Sequence, residues 1–142
     1  MGFYSEKVVS HFKEPRNAGI LEDADGIGEI KGPTSGDFMR VFIKVHDNAI
    51  TDIKYQIKGC PAWIAVASVM TELAIGKDLD DALMLTDEDV LEVLDGLPDD
   101  KLHYSVLGIT GLRKAIQDHF MKHLSSKRGA EKNTRDQEDR GL

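Results

Sequence analysis

The hydrophobic period of this chain changes at Gly59-Cys60-Pro61, and that change constrains the fold more than any other feature. Upstream, Met39, Val41, Ile43 and Val45 alternate with Arg40, Lys44 and His46, the period of two that a half-buried strand requires. Phe42 breaks the polarity of the second face. A turn at Asp47-Asn48-Ala49 leads to Thr51, Ile53, Tyr55 and Ile57, again on one face, so the two runs read as an antiparallel hairpin. Downstream, Trp63, Val66, Met70 and Leu73 recur at helical spacing. Ile64, Ala65, Ala67 and Val69 make that helix apolar almost all round. Such a helix has to be enclosed, so it lies across the sheet and is covered by something else.

The flanking segments extend this plan. Ser5 opens a helix with Val8, Val9 and Phe12 on one face, ending before Pro15, and residues 16–26 read as loop. A short strand around Ile27–Lys31, joined to the hairpin through Gly32-Pro33-Thr34-Ser35-Gly36-Asp37, makes the sheet three-stranded. Asp78 and Thr86 read as N-caps, Thr86 forming a capping box with Asp89 and its helix stopping at Gly96. Pro98 starts a helix through Leu107. Thr110 caps a last one, with Leu112, Ala115, Ile116, Phe120 and Leu124 as its apolar stripe. The expected architecture is α+β: a three-stranded antiparallel sheet with helices packed on one face, formed by residues 1–124. Residues 125–142 are almost wholly polar and are expected to form a disordered or frayed tail.

A chain of 142 residues can bury one proper core without metal staples, and its single cysteine rules out an internal disulfide. The net charge of −7 opposes a nucleic-acid partner, because phosphate binding requires a basic face. No apolar run is long enough to span a bilayer, and Met1–Lys13 carries no apolar leader core. A cytoplasmic location is the default.

Cys60 sits at the sheet-to-helix corner, with Pro61 suited to the first helical position. Free backbone N–H groups and the positive helix end favour a thiolate there, the form that ligates or attacks. A small buried hydrophobe accounts for an isolated cysteine equally well. Asp37, in the strand-to-strand turn, reads as a turn residue, and His103 as a hydrogen-bonded, half-buried histidine. His119 and His123 have the i, i+4 spacing that can hold zinc. They border an apolar stripe with no third ligand nearby, so a solvated edge is the simpler reading.

In order along the chain stand Tyr4-Ser5-Glu6-Lys7-Val8, Pro15-Arg16-Asn17, Ser35-Gly36-Asp37, Gly59-Cys60, Thr71-Glu72, Gly76-Lys77, Leu79-Asp80-Asp81-Ala82-Leu83 and Lys101-Leu102-His103-Tyr104-Ser105. In these markers, from about Tyr4 to His119, the chain resembles the IscU/NifU-type iron–sulfur cluster assembly scaffolds. Members of that family gather three cysteines, an aspartate and a histidine at one exposed site. There they assemble a [2Fe–2S] cluster from iron and from sulfur delivered by a cysteine desulfurase. The resemblance places the aspartate on Asp37, the middle cysteine on Cys60 and the histidine on His103. The other two cysteine positions fall on Ser35 and Tyr104. Pro61 replaces the usual glycine and removes one N–H from the site. The family's chaperone-recognition segment reads Leu97-Pro98-Asp99-Asp100-Lys101, two acids in place of an apolar pair, which argues against transfer by that chaperone.

These departures weaken cluster binding. A [2Fe–2S] cluster takes four protein ligands, chiefly thiolates, and this chain supplies one. Ser35 is a poor ligand, Tyr104 a better one as phenolate, and neither can carry a persulfide. Asp37, Cys60 and His103 suit a single zinc or iron(II) ion with water in the open position. Three readings follow. The first is a divergent scaffold binding metal and, at most, a labile or dimer-bridged [2Fe–2S] cluster, with a desulfurase and apo iron–sulfur proteins as partners and a homodimer as an open state. The second is a non-assembling binding or regulatory relative that docks the desulfurase. The third is an enzyme with Cys60 as nucleophile, His103 as base and Asp37 orienting it. It ranks last because no oxyanion hole is announced.

Overall fold

The computed structural model describes residues 4–138, with side chains for residues 4–124. Strand β2 (Phe38–His46) lies at the centre of the sheet, antiparallel to β1 (Gly26–Lys31) on one side and β3 (Ala49–Lys58) on the other. Its alternation is read out directly. Met39, Val41 and Ile43 are completely shielded, while Arg40 faces the other way, pairing with Glu29 at 2.9 Å and donating to Gln56 Oε1 at 3.3 Å. The period of two does not run unbroken through β3. Lys44 faces Asp52 but Val45 faces Ile50, so Thr51 is the extra residue of a β-bulge. Ile50 is therefore the buried residue at that end of the strand, and Thr51, expected on the core face, is exposed.

Helix α2 (Pro61–Ala74) crosses the sheet as its apolar surface demands, with Ala62, Trp63, Val66, Met70 and Ala74 wholly buried. Helix α1 (Glu6–Lys13) packs on α2, as does α4 (Asp87–Leu94), with the short α3 (Leu79–Leu83) between α2 and α4 in sequence. Ser5 caps α1, its Oγ accepting from Val8 N at 3.1 Å. The face α1 buries is Val8 and His11. Val9 and Phe12, expected beside Val8, are 37% and 39% exposed. Thr86 and Asp89 form the expected capping box at α4, and Asp95 and Gly96 end it in left-handed conformation.

The two helices expected after Pro98 are one. A single 3-10 turn, Asp99–Lys101, leads into α5, which runs without a break over His103–Glu138. Thr110 is not a cap. It lies inside the helix, its Oγ1 donating to the carbonyl of Val106 at 2.8 Å. Helix α5 lies against β1 and β2 next to α2, so the helices occupy one face of the sheet. Gly28 permits this, because a Cβ there would collide with Ala115 N and Gly111 O of the α5 backbone. The polar segment from residue 125 onward enters the C-terminal part of α5; its side chains, and residues 139–142 altogether, lie outside the described residues. Among the described residues no helix is long and apolar enough to cross a membrane.

Candidate functional site

Cys60 is the N-cap of α2, extended at φ −76°, ψ 164°, with Pro61 at the first helical turn. β3 ends at Lys58 and the chain passes through Gly59 into α2, so the half-buried thiol sits where the sheet gives way to the helix. Its side chain makes no capping hydrogen bond to the helix and faces Tyr104 instead. Asp37 closes the β1–β2 turn. Its N–H donates to Thr34 O at 3.0 Å and its carbonyl accepts from Gly32 N at 2.8 Å. Gly32 lies between this turn and α2: a Cβ there would come within 2.6 Å of the Trp63 ring and 2.8 Å of Asp37 Cβ. The turn carrying Asp37 is thus held against the first turn of the helix that starts at Cys60.

Tyr104 closes the group from α5. Only 6% exposed, its ring lies 5.6 Å from that of Trp63 and 4.1 Å from that of His103, with Lys101 Nζ 5.9 Å from the ring centre. Burial first, then the Cys60 thiol that it faces, and then Asp37 and Tyr4, push the Tyr104 phenol up to about 12. Cys60 and His103 therefore both border Tyr104, and the charge of Asp37 acts on its phenol. Ser35 stands apart from that shielded centre. It is exposed in the turn, lining with Asp37, Glu29 and Arg40 a cleft of about 380 Å³.

The donor set does not fit a four-ligand cluster on one chain. It holds one thiol, and the phenol nearest to that thiol is kept protonated. Among the described residues, no three His, Cys, Asp or Glu side chains stand close enough together to hold a metal ion as placed. His103 is exposed at the start of α5. Sequence reasoning missed Tyr4 and Trp63 as neighbours of the site. Trp63 read only as part of an apolar stripe, and Tyr4 only as part of a motif. The available signal was the position of Trp63 three residues after Cys60, on the helix face that begins at the thiol.

Fold and geometry together define a small α+β domain with one cysteine at the sheet-to-helix corner, facing a buried tyrosine. Residues 3–126 match the family model described as the NifU-like N terminal domain, and the chain belongs to that family. It is 51% identical over 120 residues to the iron-sulfur cluster assembly scaffold protein IscU 1 of Archaeoglobus fulgidus, covering 84% of this chain and 78% of the relative. The corresponding IscU of Aquifex aeolicus is 46% identical over 121 residues, covering 84% and 77%. That of Escherichia coli (strain K12) is 39% identical over 123 residues, covering 84% and 95%. In three dimensions the chain is similar to the N-terminal NifU-like protein from Brucella abortus, with a TM-score of 0.68 at 20% identity over 84% of this chain and 96% of that one. At that identity the likeness bears on the fold alone.

Proposed function

We propose that this chain is a scaffold of iron–sulfur cluster assembly, not an enzyme, that takes one iron(II) or zinc ion and holds a [2Fe–2S] cluster only transiently. The observation that carries this reading is the lone thiol, Cys60, at the start of α2 facing the Tyr104 phenol, with the His103 ring 4.1 Å from the Tyr104 ring. The relatives named as scaffold proteins support it.

The residues divide the work by their chemistry. Cys60 is the only thiol, so it is the only group that can accept sulfur from a cysteine desulfurase. Asp37 supplies a hard oxygen donor and His103 a nitrogen donor, and with one thiolate they suit a divalent ion that keeps a water. Tyr104 stays protonated near neutral pH and shields the inner side of the site. A cluster bound by so few thiolates is labile, and apo iron–sulfur proteins with complete ligand sets would draw it away. The acidic Asp99 and Asp100 are exposed in the 3-10 turn, a surface unlike the apolar pair that the specialised chaperone reads. Against catalysis by Cys60, the His103 ring lies tilted against the Tyr104 ring and the thiol faces the Tyr104 phenol, so the thiol's neighbour is a phenol and not a base.

Calorimetry with ferrous and zinc ions under anaerobic conditions tests the metal site. One ion per chain is expected, with affinity falling as pH falls, because thiolate and neutral imidazole are the ligating forms. Cys60→Ala and His103→Ala should each lose at least about tenfold in affinity; unchanged affinity in either variant refutes the site. Anaerobic reconstitution with a desulfurase then separates assembly from mere binding. Transient colour supports the scaffold. A colourless chain that still binds the desulfurase supports the second reading, a non-assembling docking module, which the shortage of thiolates favours.

A further inference from the structure

A cavity of about 770 Å³ lies between α1, α2 and α4, away from the cysteine corner. Leu73, on its floor, follows Cys60 by thirteen residues, roughly 20 Å along α2. One wall is basic, formed by Lys7 and His11 of α1, Arg16 of the following loop and Lys77. The lining contributed by α4 is acidic, with Asp89 and Glu92.

Arg16 is the unexplained group. Its Nη1 is shielded from solvent with no acceptor among the described residues, and no carboxylate pairs with its guanidinium. Arg40, by contrast, pairs with Glu29, and Arg113 donates to Leu85 O at 2.9 Å. Arg16 as a whole is half-buried and lines the cavity, so a guanidinium left there without a paired carboxylate favours an oxyanion ligand. His11 beside it is only 8% exposed, with Nδ1 2.8 Å from Ser68 Oγ and Nε2 3.7 Å from Glu72 Oε1. Burial, and then Arg16, lower the His11 pKa, so near neutral pH the imidazole is a neutral hydrogen-bonding group.

The two walls narrow the ligand. Asp89 and Glu92 repel a polyanion such as a nucleotide phosphate, and Arg16 and Lys77 repel a simple cation. We propose that this cavity binds a small zwitterion of the amino-acid type, its carboxylate on Arg16 and its ammonium on the α4 wall. Glu92 is the freer of the two acids there, because Asp89 Oδ2 already accepts from Thr86 N at 2.9 Å. The site shares no residue with the cysteine corner, so it stands or fails independently of the scaffold reading.

NMR on the intact chain tests it, following the His11 ring and the Arg16 side chain during titration. The probes are glycine, 4-aminobutyrate and 6-aminohexanoate, with acetate, methylammonium and inorganic phosphate as singly functional controls. At least one dipolar probe should bind about tenfold more tightly than any control. Arg16→Gln should lose that binding, and Glu92→Gln should reduce the dipolar probe to the level of acetate. Melting curves check that each variant folds. If Arg16→Gln does not, Glu92→Gln and Lys77→Gln carry the test. Equal binding of acetate or phosphate, an unaffected Glu92→Gln variant, or no response at tens of millimolar of any dipolar probe overturns the proposal.

Discussion

His11 is a titratable side chain that α1 buries, and its burial sets a pH limit on the fold. Desolvation first, then the nearby Arg16, lower its pKa from 6.5, and Glu72 only partly opposes them. The unfolded chain therefore takes up a proton near 6.5 that the folded chain resists. This contribution to stability is complete above 6.5 and is lost as pH falls from there toward the folded value. His11→Gln can still hydrogen-bond Ser68 Oγ but does not titrate. Urea denaturation across a pH series should show the wild type losing stability below 6.5 more steeply than the variant. Parallel curves would show that His11 is not the group responsible. The burial of this residue was not legible in the sequence. A histidine beside Phe12 reads as polar surface, and only the arrival of Ser68, 57 residues away, supplies the partner that makes burial tolerable.

At the level of elements, local chemistry was legible wherever it was self-contained. The Ser5 cap, the capping box at Thr86 and Asp89, the alternation in β2 and the proline-led start of α2 each depend on a few adjacent residues. Elements shaped by distant partners were not. The bulge at Thr51 depends on how β3 registers with β2, and the continuous α5 depends on its seat against β1. That seat makes a prediction. Gly28→Ala puts a methyl group into two backbone atoms of α5, neither of which can rotate away as a side chain would. The variant should lose about 3 kcal/mol in urea denaturation, the upper range for overpacking. Lys31→Ala, exposed in the same strand, should change stability by less than about 0.5 kcal/mol. Similar losses in both would show that α5 does not depend on the close approach at Gly28.

At the scale of the whole molecule, the question is whether only the ligands have changed or the surface around them as well. The family resemblance proposes Asp37, Cys60 and His103 as the site, but it gave no sign that Tyr104 would be buried against Cys60, His103 and Trp63, because one position cannot announce what surrounds it. The structure assigns unequal costs to restoring the two missing thiols. Ser35→Cys is nearly isosteric at an exposed turn position and should be close to neutral. Tyr104→Cys removes a ring packed against Trp63 and His103 and should cost roughly 3 kcal/mol through the void it leaves. Pro61→Gly returns the backbone N–H at the start of α2. The triple variant, once shown to be folded, should retain a coloured [2Fe–2S] cluster through desalting after anaerobic reconstitution with a desulfurase, while the parent loses its colour. Stable colour in the parent would mean that thiolate number does not limit cluster retention here. A folded triple variant that stays colourless would place the divergence in the surface itself, and the docking-module reading would then describe the chain better than the scaffold one.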